Sequence, residues 1–301
     1  MRVKLLGLQI GTYTKDDTYD SYMKKQYDLL EKGVKAEKPY LAVFPEGQTG
    51  PYFCTTYDDR WFKLAEFIDG PTTTTMLKKS KEMHIHIVFT FFEKSVKRDH
   101  IHYYSSMALA SPTRGLVGLY RKTHLPKMET STLTTDEKYY FEPGNSLPVF
   151  KLDNGVTVAM VLCYDRSFPE VWRAHYLQGA QIICMAACTW GFRGEFFIEE
   201  LRTRAYESRS FVIALNRAGS EIVEGEKQVR DHFGKGAIIN PNGDIVASIG
   251  GEPWSYVAAE VDLDLINVLS APLPWKRDRR PELYGILTAQ GCNFNEQQFL
   301  I

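Results

Sequence analysis

The chain has 301 residues, 44% hydrophobic and 24% charged, with a formal net charge of -1. A charge so near zero gives no reason to expect a nucleic-acid or acidic-membrane partner and weakly favours self-association. No apolar run approaches the roughly 18 residues of a membrane span, and five cysteines in a chain that opens on a strand-like "MRVKLLGLQIGTYT", not a signal peptide, predict reduced thiols in a cytoplasmic protein.

"VKLLGLQI" (3–10) reads as a strand, and "DSYMKKQYDLLEKGVKAE" (20–37) carries apolar residues at helical spacing. "PYLAVFPE" (39–46) is strand-like again and stops at Glu46. Thr72 to Met83 suits a helix and "IHIVFTFFEK" (85–94) a strand. "YYSSMALAS" and "LVGLYRKT" flank the turn "PTRG", a hairpin signal, and the second arm stops at Lys122. After a long loop come "LPVFKL" and "VTVAMVLC", the latter ending at Cys163. A short helix after Pro169, the strand "QIICMAA", a helix from Glu195 to Arg209, "FVIALNRAG" and the hairpin "GAIINPNGDIVASI" follow. The two hairpins share a layout, and the order of elements around them is roughly duplicated. Two similar halves without a Gly/Ser-rich linker predict one α/β domain over 1–287, a four-layer αββα sandwich with helices outside. Residues 288–301 are expected to form a C-terminal tail, either against a partner subunit or solvated.

Three groups able to do chemistry close apolar strands: Glu46, Lys122 and Cys163. Strand ends converge on one rim of a sheet, where α/β proteins usually place their sites. Singly, each has an ordinary explanation as a loop or core residue. Together they form an amide-cleaving set. A free thiol is only a few per cent ionised at neutral pH, so a carboxylate acting as general base helps by ~10²–10⁴-fold. An ammonium and a backbone N–H can stabilise the developing oxyanion, each such donor worth on the order of 10²–10³ in rate. Two other classes compete. "HIH" occurs at His84–His86 and His100–His102, and alternate strand residues share a face, so a zinc-dependent amidohydrolase is conceivable; no acidic ligand sits at a convincing spacing. Cys184 and Cys188 lack a matching pair and read as core packing. A non-catalytic binding protein is the other rival, opposed by the intact set.

"FPEG" around Glu46, "YRKTHLP" around Lys122 and "CYDRSFPE" around Cys163 resemble the three signature segments of the nitrilase superfamily of carbon–nitrogen hydrolases, in the same order. The similarity runs from the first strand to about Leu287. It implies an αββα sandwich of two similar halves that assembles through helix faces into a homodimer or larger even-numbered oligomer. It also implies roles: Glu46 as general base, Lys122 as oxyanion-stabilising cation, Cys163 as nucleophile and the Tyr164 N–H as second oxyanion donor. A further glutamate is expected to hold Lys122 and shape the leaving group; in "DEKYYFEPG" this is Glu137, with Glu142 as competitor. No cofactor or metal is called for.

Cys163-Tyr164-Asp165 stands where nitrile hydrolases usually have Cys-Trp-Glu, which favours an amidase. "PYFC" (51–54), "EKYYFEPG" (137–144), "DRSFPEVWR" (165–173) and "RRPELYG" (279–285) are similar to N-carbamoyl-D-amino-acid hydrolases and N-carbamoylputrescine amidases, which cleave a ureido group to amine, carbon dioxide and ammonia. The likeness to the former assigns Arg166 to a substrate carboxylate, for which a guanidinium fork is suited, and His124 in "KTHLP" also matches. Ser167 and Thr135 depart, standing where those enzymes commonly have a second arginine and a histidine. The substrate thus stays open among N-carbamoyl amino acids, N-carbamoyl amines and simple or ω-amides.

Overall fold

Apolar runs too continuous for a half-exposed sheet mark strands covered on both faces, and two sets of them build this molecule. The computed structural model describes residues 1–129, 134–226 and 229–289. Strand β1 (Arg2–Gln9) is buried from Leu5 to its end. Helix α1 (Tyr19–Glu37) begins where Thr18 and Ser21 cap each other reciprocally and ends as Lys38 turns left-handed. β2 (Leu41–Val43), α2 (Pro71–Met83, with proline at its first turn), β3 (His86–Lys97), β4 (His100–Ser111) and β5 (Gly115–Arg121) complete the first half. A small crossing follows: β6 (Lys127–Glu129), β7 (Thr134–Asp136) and the single turn α3 (Glu137–Tyr140).

The second half repeats the plan. After β8 (Val149–Lys151) come β9 (Thr157–Leu162), α4 (Pro169–Leu177), β10 (Ile182–Ala187), α5 (Phe197–Ser208) and β11 (Phe211–Asn216). A two-stranded ribbon, β12 (Ala218–Glu221) with β13 (Arg230–Phe233), precedes β14 (Ala237–Ile239) and β15 (Ile245–Ser248). β16 (Ser255–Asp262), α6 (Asp264–Ser270) and α7 (Trp275–Asp278) follow.

The first sheet has the order β16-β1-β2-β3-β4-β5 and the second β15-β14-β11-β10-β9-β8. In each, three strands run parallel and the next two turn back antiparallel. In each, one further antiparallel strand closes the far side: β16 against β1, β8 against β9. Thus β16 returns to the first half's sheet from the other end of the chain.

Three apolar layers separate the four structural ones. Leu5, Val43 and Leu109 meet Met160, Cys184 and Ile213 between the sheets. Tyr22 and Met23 of α1 and Met76 of α2 cover Leu6, Leu8 and Phe89 on one outer face. Val171, Trp172, Phe197 and Leu201 of α4 and α5 cover Val161, Ile183 and Met185 on the other. Each such fully buried aliphatic side chain contributes about 1.5–3 kcal/mol. The four-layer αββα sandwich is therefore the fold.

Some boundaries differ from the sequence reading. β2 spans three residues, not the eight of 39–46, because Pro45 has no N–H to donate and Gly47 turns the chain with φ +79. β16 and the β12–β13 ribbon were not expected. The expected tail lies, beyond Ala289, outside the described residues. Among the described residues no helix is long and apolar enough to cross a membrane.

Candidate active site

β2 and β3 are parallel and two antiparallel pairings separate β3 from β5, so β2 and β5 point the same way. Glu46 follows the end of β2 and Lys122 the end of β5, on one rim of the first sheet. Cys163 follows the end of β9 in the facing sheet. The Lys122 ammonium, wholly buried, lies 2.9 Å from Glu46 Oε1 and 2.8 and 2.7 Å from the two oxygens of Glu137. Glu46 Oε2 accepts the Cys188 N–H at 3.1 Å, and Glu137 Oε1 accepts the Tyr52 hydroxyl at 2.9 Å.

Backbone hydrogen bonds hold Lys122 in place. Its N–H donates to Ser105 O, and its carbonyl accepts the Gly144 N–H at 2.8 Å. A Cβ at Gly144 would sit 2.2 Å from Arg121 O, so only glycine allows that approach. Glu137 opens the short α3, its N–H bonded to Pro126 O. Glu142 instead faces outward, 2.7 Å from His102 Nδ1.

Cys163 has φ 44, a left-handed conformation that a side chain with a Cβ adopts at a cost of about 1–2 kcal/mol. The Asp165 carboxylate fixes this turn. It accepts Tyr120 OH at 2.6 Å, Thr123 Oγ1 and the His124 N–H at 2.9 Å each, and the Leu162 N–H at 3.3 Å. One buried carboxylate thereby ties the segment after β5, which holds Lys122, to the segment that holds Cys163.

The electrostatics follow from burial and charge count. Burial alone would lower the Lys122 pKa, but Glu137 and then Glu46 outweigh it and hold the ammonium well above the ordinary lysine value. Burial pushes Glu137 up to about 7, against the pull of Lys122. One cation between two buried carboxylates leaves an excess negative charge, so a proton is retained more readily there. Burial, with Glu46 adding and Lys122 opposing, pushes the Cys163 thiol up to about 12. The thiol is neutral at rest, and attack requires a base to take its proton.

A pocket of about 60 Å³ opens onto this group, lined by Tyr52, Thr135, Glu137, Cys163, Tyr164 and Arg166 among others. Tyr52 OH also meets Thr135 Oγ1 at 2.7 Å. Arg166 is 1% exposed; its Nε is 3.0 Å from Glu200 and its Nη1 donates to Cys163 O at 3.1 Å and lies 3.9 Å from Cys163 Sγ. His124 is not among the described lining residues: its Nδ1 lies 2.9 Å from Asp165 and its ring stacks on Phe168. The two "HIH" segments lie at opposite ends of the β3–β4 hairpin. His86 begins β3 and lies 3.3 Å from Asp153, whereas His102 pairs with Ser95.

Sequence reading passed over a second buried set beside this one. Glu221, on β12, accepts the Tyr52 N–H at 3.0 Å and pairs with Arg217 at 2.6 Å, while Arg217 Nη1 lies 3.6 Å from Cys188 Sγ. It also passed over Arg193, which lines the pocket from the turn Gly191–Gly194.

The chain belongs to the carbon-nitrogen hydrolase family, whose model matches residues 19–270. It is 32% identical over 281 residues to an N-carbamoylputrescine amidase of Solanum lycopersicum, covering 88% of this chain and 90% of that protein. It is 30% identical over 286 residues, with the same coverage, to an N-carbamoylputrescine amidase of Arabidopsis thaliana. In three dimensions it is similar to a carbon-nitrogen hydrolase from Helicobacter pylori G27, with a TM-score of 0.87 at 22% identity over 96% of this chain and 99% of that one.

Proposed function

We propose that this carbon-nitrogen hydrolase cleaves an amide or N-carbamoyl (ureido) substrate through a covalent adduct on Cys163. Glu46 takes the thiol proton as Sγ bonds to the carbonyl carbon, and the carbonyl electron pair moves onto oxygen. Lys122 and the Tyr164 N–H stabilise that oxyanion, and Glu137 positions Lys122. Collapse breaks the C–N bond, and the proton held by Glu46 leaves with ammonia. Water then adds to the acyl- or carbamoyl-thiol carbon and restores the thiol. A carbamate so released loses carbon dioxide to give the amine. What carries this reading is the Lys122 ammonium clasped by Glu46 and Glu137 beside a pocket lined by Cys163. The relatives named for a ureido amine, and one of Arabidopsis thaliana named beta-ureidopropionase, make N-carbamoyl amines and N-carbamoyl amino acids the first substrates to try; aliphatic and ω-amides come second.

Ammonia release from a panel of ureido acids, ureido amines and amides tests the chemistry, and iodoacetamide tests the nucleophile. Labelling is expected at Cys163 before Cys54, Cys184 or Cys188. It is the most exposed of the four cysteines among the described residues, at 8% against 3%, 0% and 1%. Full alkylation there should abolish turnover; undiminished turnover would sink the mechanism. The same reading takes residues 1–287 as one domain, supported by β16 completing the first half's sheet. It places the chain in a reducing, cytoplasmic compartment, supported by four free thiols among the described residues. Assembly through helix faces is supported by a groove of about 820 Å³ between α4, α5 and α7, lined by Trp172, Leu177 and Trp275; light scattering that finds an even-numbered oligomer would agree with it.

A further inference from the structure

Charge in the pocket is divided between its two ends. At one end the Lys122 ammonium is shared by Glu46 and Glu137. At the other, two guanidinium groups share one carboxylate: Glu200 Oε2 lies 3.0 Å from Arg166 Nε and 4.0 Å from Arg193 Nη2. Among the described residues, the charged side chains that line the pocket are Glu137, Arg166 and Arg193, and Glu137 already faces Lys122. The second end therefore carries an excess positive charge.

That end also has an unmet hydrogen bond. Arg166 is buried, and its Nη2 has no hydrogen-bond partner. Leaving a buried donor unpaired is unfavourable, and an anionic oxygen placed there would offset that. Arg193 arrives from a separate element, the turn Gly191–Gly194, and is positioned by its neighbours. Its Nη2 donates to Ser167 Oγ at 2.6 Å, and its guanidinium lies 5.9 Å from the Tyr164 ring centroid. Burial and the neighbouring Arg166 charge both lower its pKa from the ordinary arginine value, the mark of two like charges brought together. Two guanidinium forks converging on one space suit a carboxylate, each fork able to donate to it.

Resting on the hydrolase reading above, we propose that Arg193 is a specificity-determining residue. With Arg166 it forms a two-guanidinium clamp that selects short amides or ureides bearing a carboxylate over neutral or cationic ones. The short reach follows from position: Arg166 Nη1 is 3.9 Å from Cys163 Sγ, so the carboxylate site adjoins the reacting carbon. A substrate carrying an ammonium would set that charge against two guanidinium groups. The substrate class is thus the opposite in sign to the N-carbamoylputrescine for which the plant relatives are named.

The experiment measures binding to the Cys163→Ala chain by calorimetry, using 3-ureidopropionate, its neutral carboxamide and N-carbamoylputrescine. The clamp predicts the anion bound at least tenfold more tightly than the amide, with the cation weakest. Arg193→Met should cut the anion's affinity by tenfold or more and bring the anion-to-amide ratio towards one, and Arg193→Lys should recover part of it. The three-ligand comparison on unaltered Arg193 needs no variant to fold. Equal or tighter binding of the amide or the cation, binding of none of the three, or a uniform loss in Arg193→Met would overturn the clamp. Turnover by the unmodified chain is read separately. Selective binding of the anion without ammonia release from any panel member would support the clamp and refute the hydrolase reading.

Discussion

Two buried charge clusters sit side by side in this molecule and differ in the charges that surround the central carboxylate. In the first, one cation, Lys122, lies between two carboxylates, Glu46 and Glu137. In the second, Glu221 lies between two guanidinium groups, Arg217 at 2.6 Å and Arg230 at 3.8 Å, with the His232 ring 3.6 Å away and its pKa lowered by burial, while Arg230 also pairs with Glu226. Tyr52 touches both, donating its hydroxyl to Glu137 and its N–H to Glu221. Cys188 does too, through its N–H to Glu46 and its sulfur beside Arg217. Burial pushes Glu137 up to about 7, whereas Glu221, although burial opposes it, is drawn down to about 2 by Arg217. At similar depth, the charges in contact decide whether a carboxylate can change protonation near neutrality. The acid-rich cluster is able to move protons; the one around Glu221 is locked and holds the first in place.

If that division is right, substitutions should separate cleanly into losses of rate and losses of stability. Glu46→Gln keeps the shape but removes the base, and turnover is expected to fall ~10²–10⁴-fold, with unfolding free energy changed by no more than about 1–3 kcal/mol. Glu221→Gln leaves Arg217 buried without its counter-charge. It should lose about 3–5 kcal/mol in urea unfolding, and the fraction that stays folded should keep its turnover. A Glu221→Gln chain with full stability and lost activity would reverse the assignment.

Most of the first cluster could be read from sequence, because a residue that ends an apolar strand is a pattern local to ten residues. Glu46, Lys122 and Cys163 declare themselves in that way, and Glu137 entered through resemblance. The second cluster could not. Arg217 lies in "FVIALNRAG", read as a strand with no role for its charge, and Glu221, Arg230 and His232 lie in "SEIVEGEKQVRDHF", where no element is expected. Their burial arises only when the β12–β13 ribbon closes over Tyr52. Arg193 hides likewise in "GFRG", an ordinary turn until its guanidinium reaches Ser167. β16 escaped for another reason: the Ala258-Ala259 pair weakens its strand character, and its partner is β1 at the far end of the chain. His124 fits its motif yet serves Asp165 in the structure. Motif agreement fixed its position in the chain but not the direction of its ring.

The smallest expected effect is also the sharpest test of the contrast, because the two clusters should respond to pH with opposite sign. Glu137, raised to about 7, keeps its proton in the folded chain where an unfolded glutamate has lost it. Its contribution to stability is therefore full below the ordinary glutamate value of roughly 4.3 and declines as pH rises towards 7. Glu221, lowered to about 2, contributes fully above roughly pH 4.3 and loses that contribution as pH falls towards 2. Glu137→Gln should flatten the neutral limb of the stability profile, and Glu221→Gln the acid limb. In turnover, an ionised Glu137 is what holds the Lys122 ammonium, so kcat/KM should drop about tenfold per pH unit below a midpoint near 7. That midpoint should vanish in Glu137→Gln. A wild-type rate profile flat from pH 5 to 8 would mean that the acid-rich cluster is as locked as its neighbour.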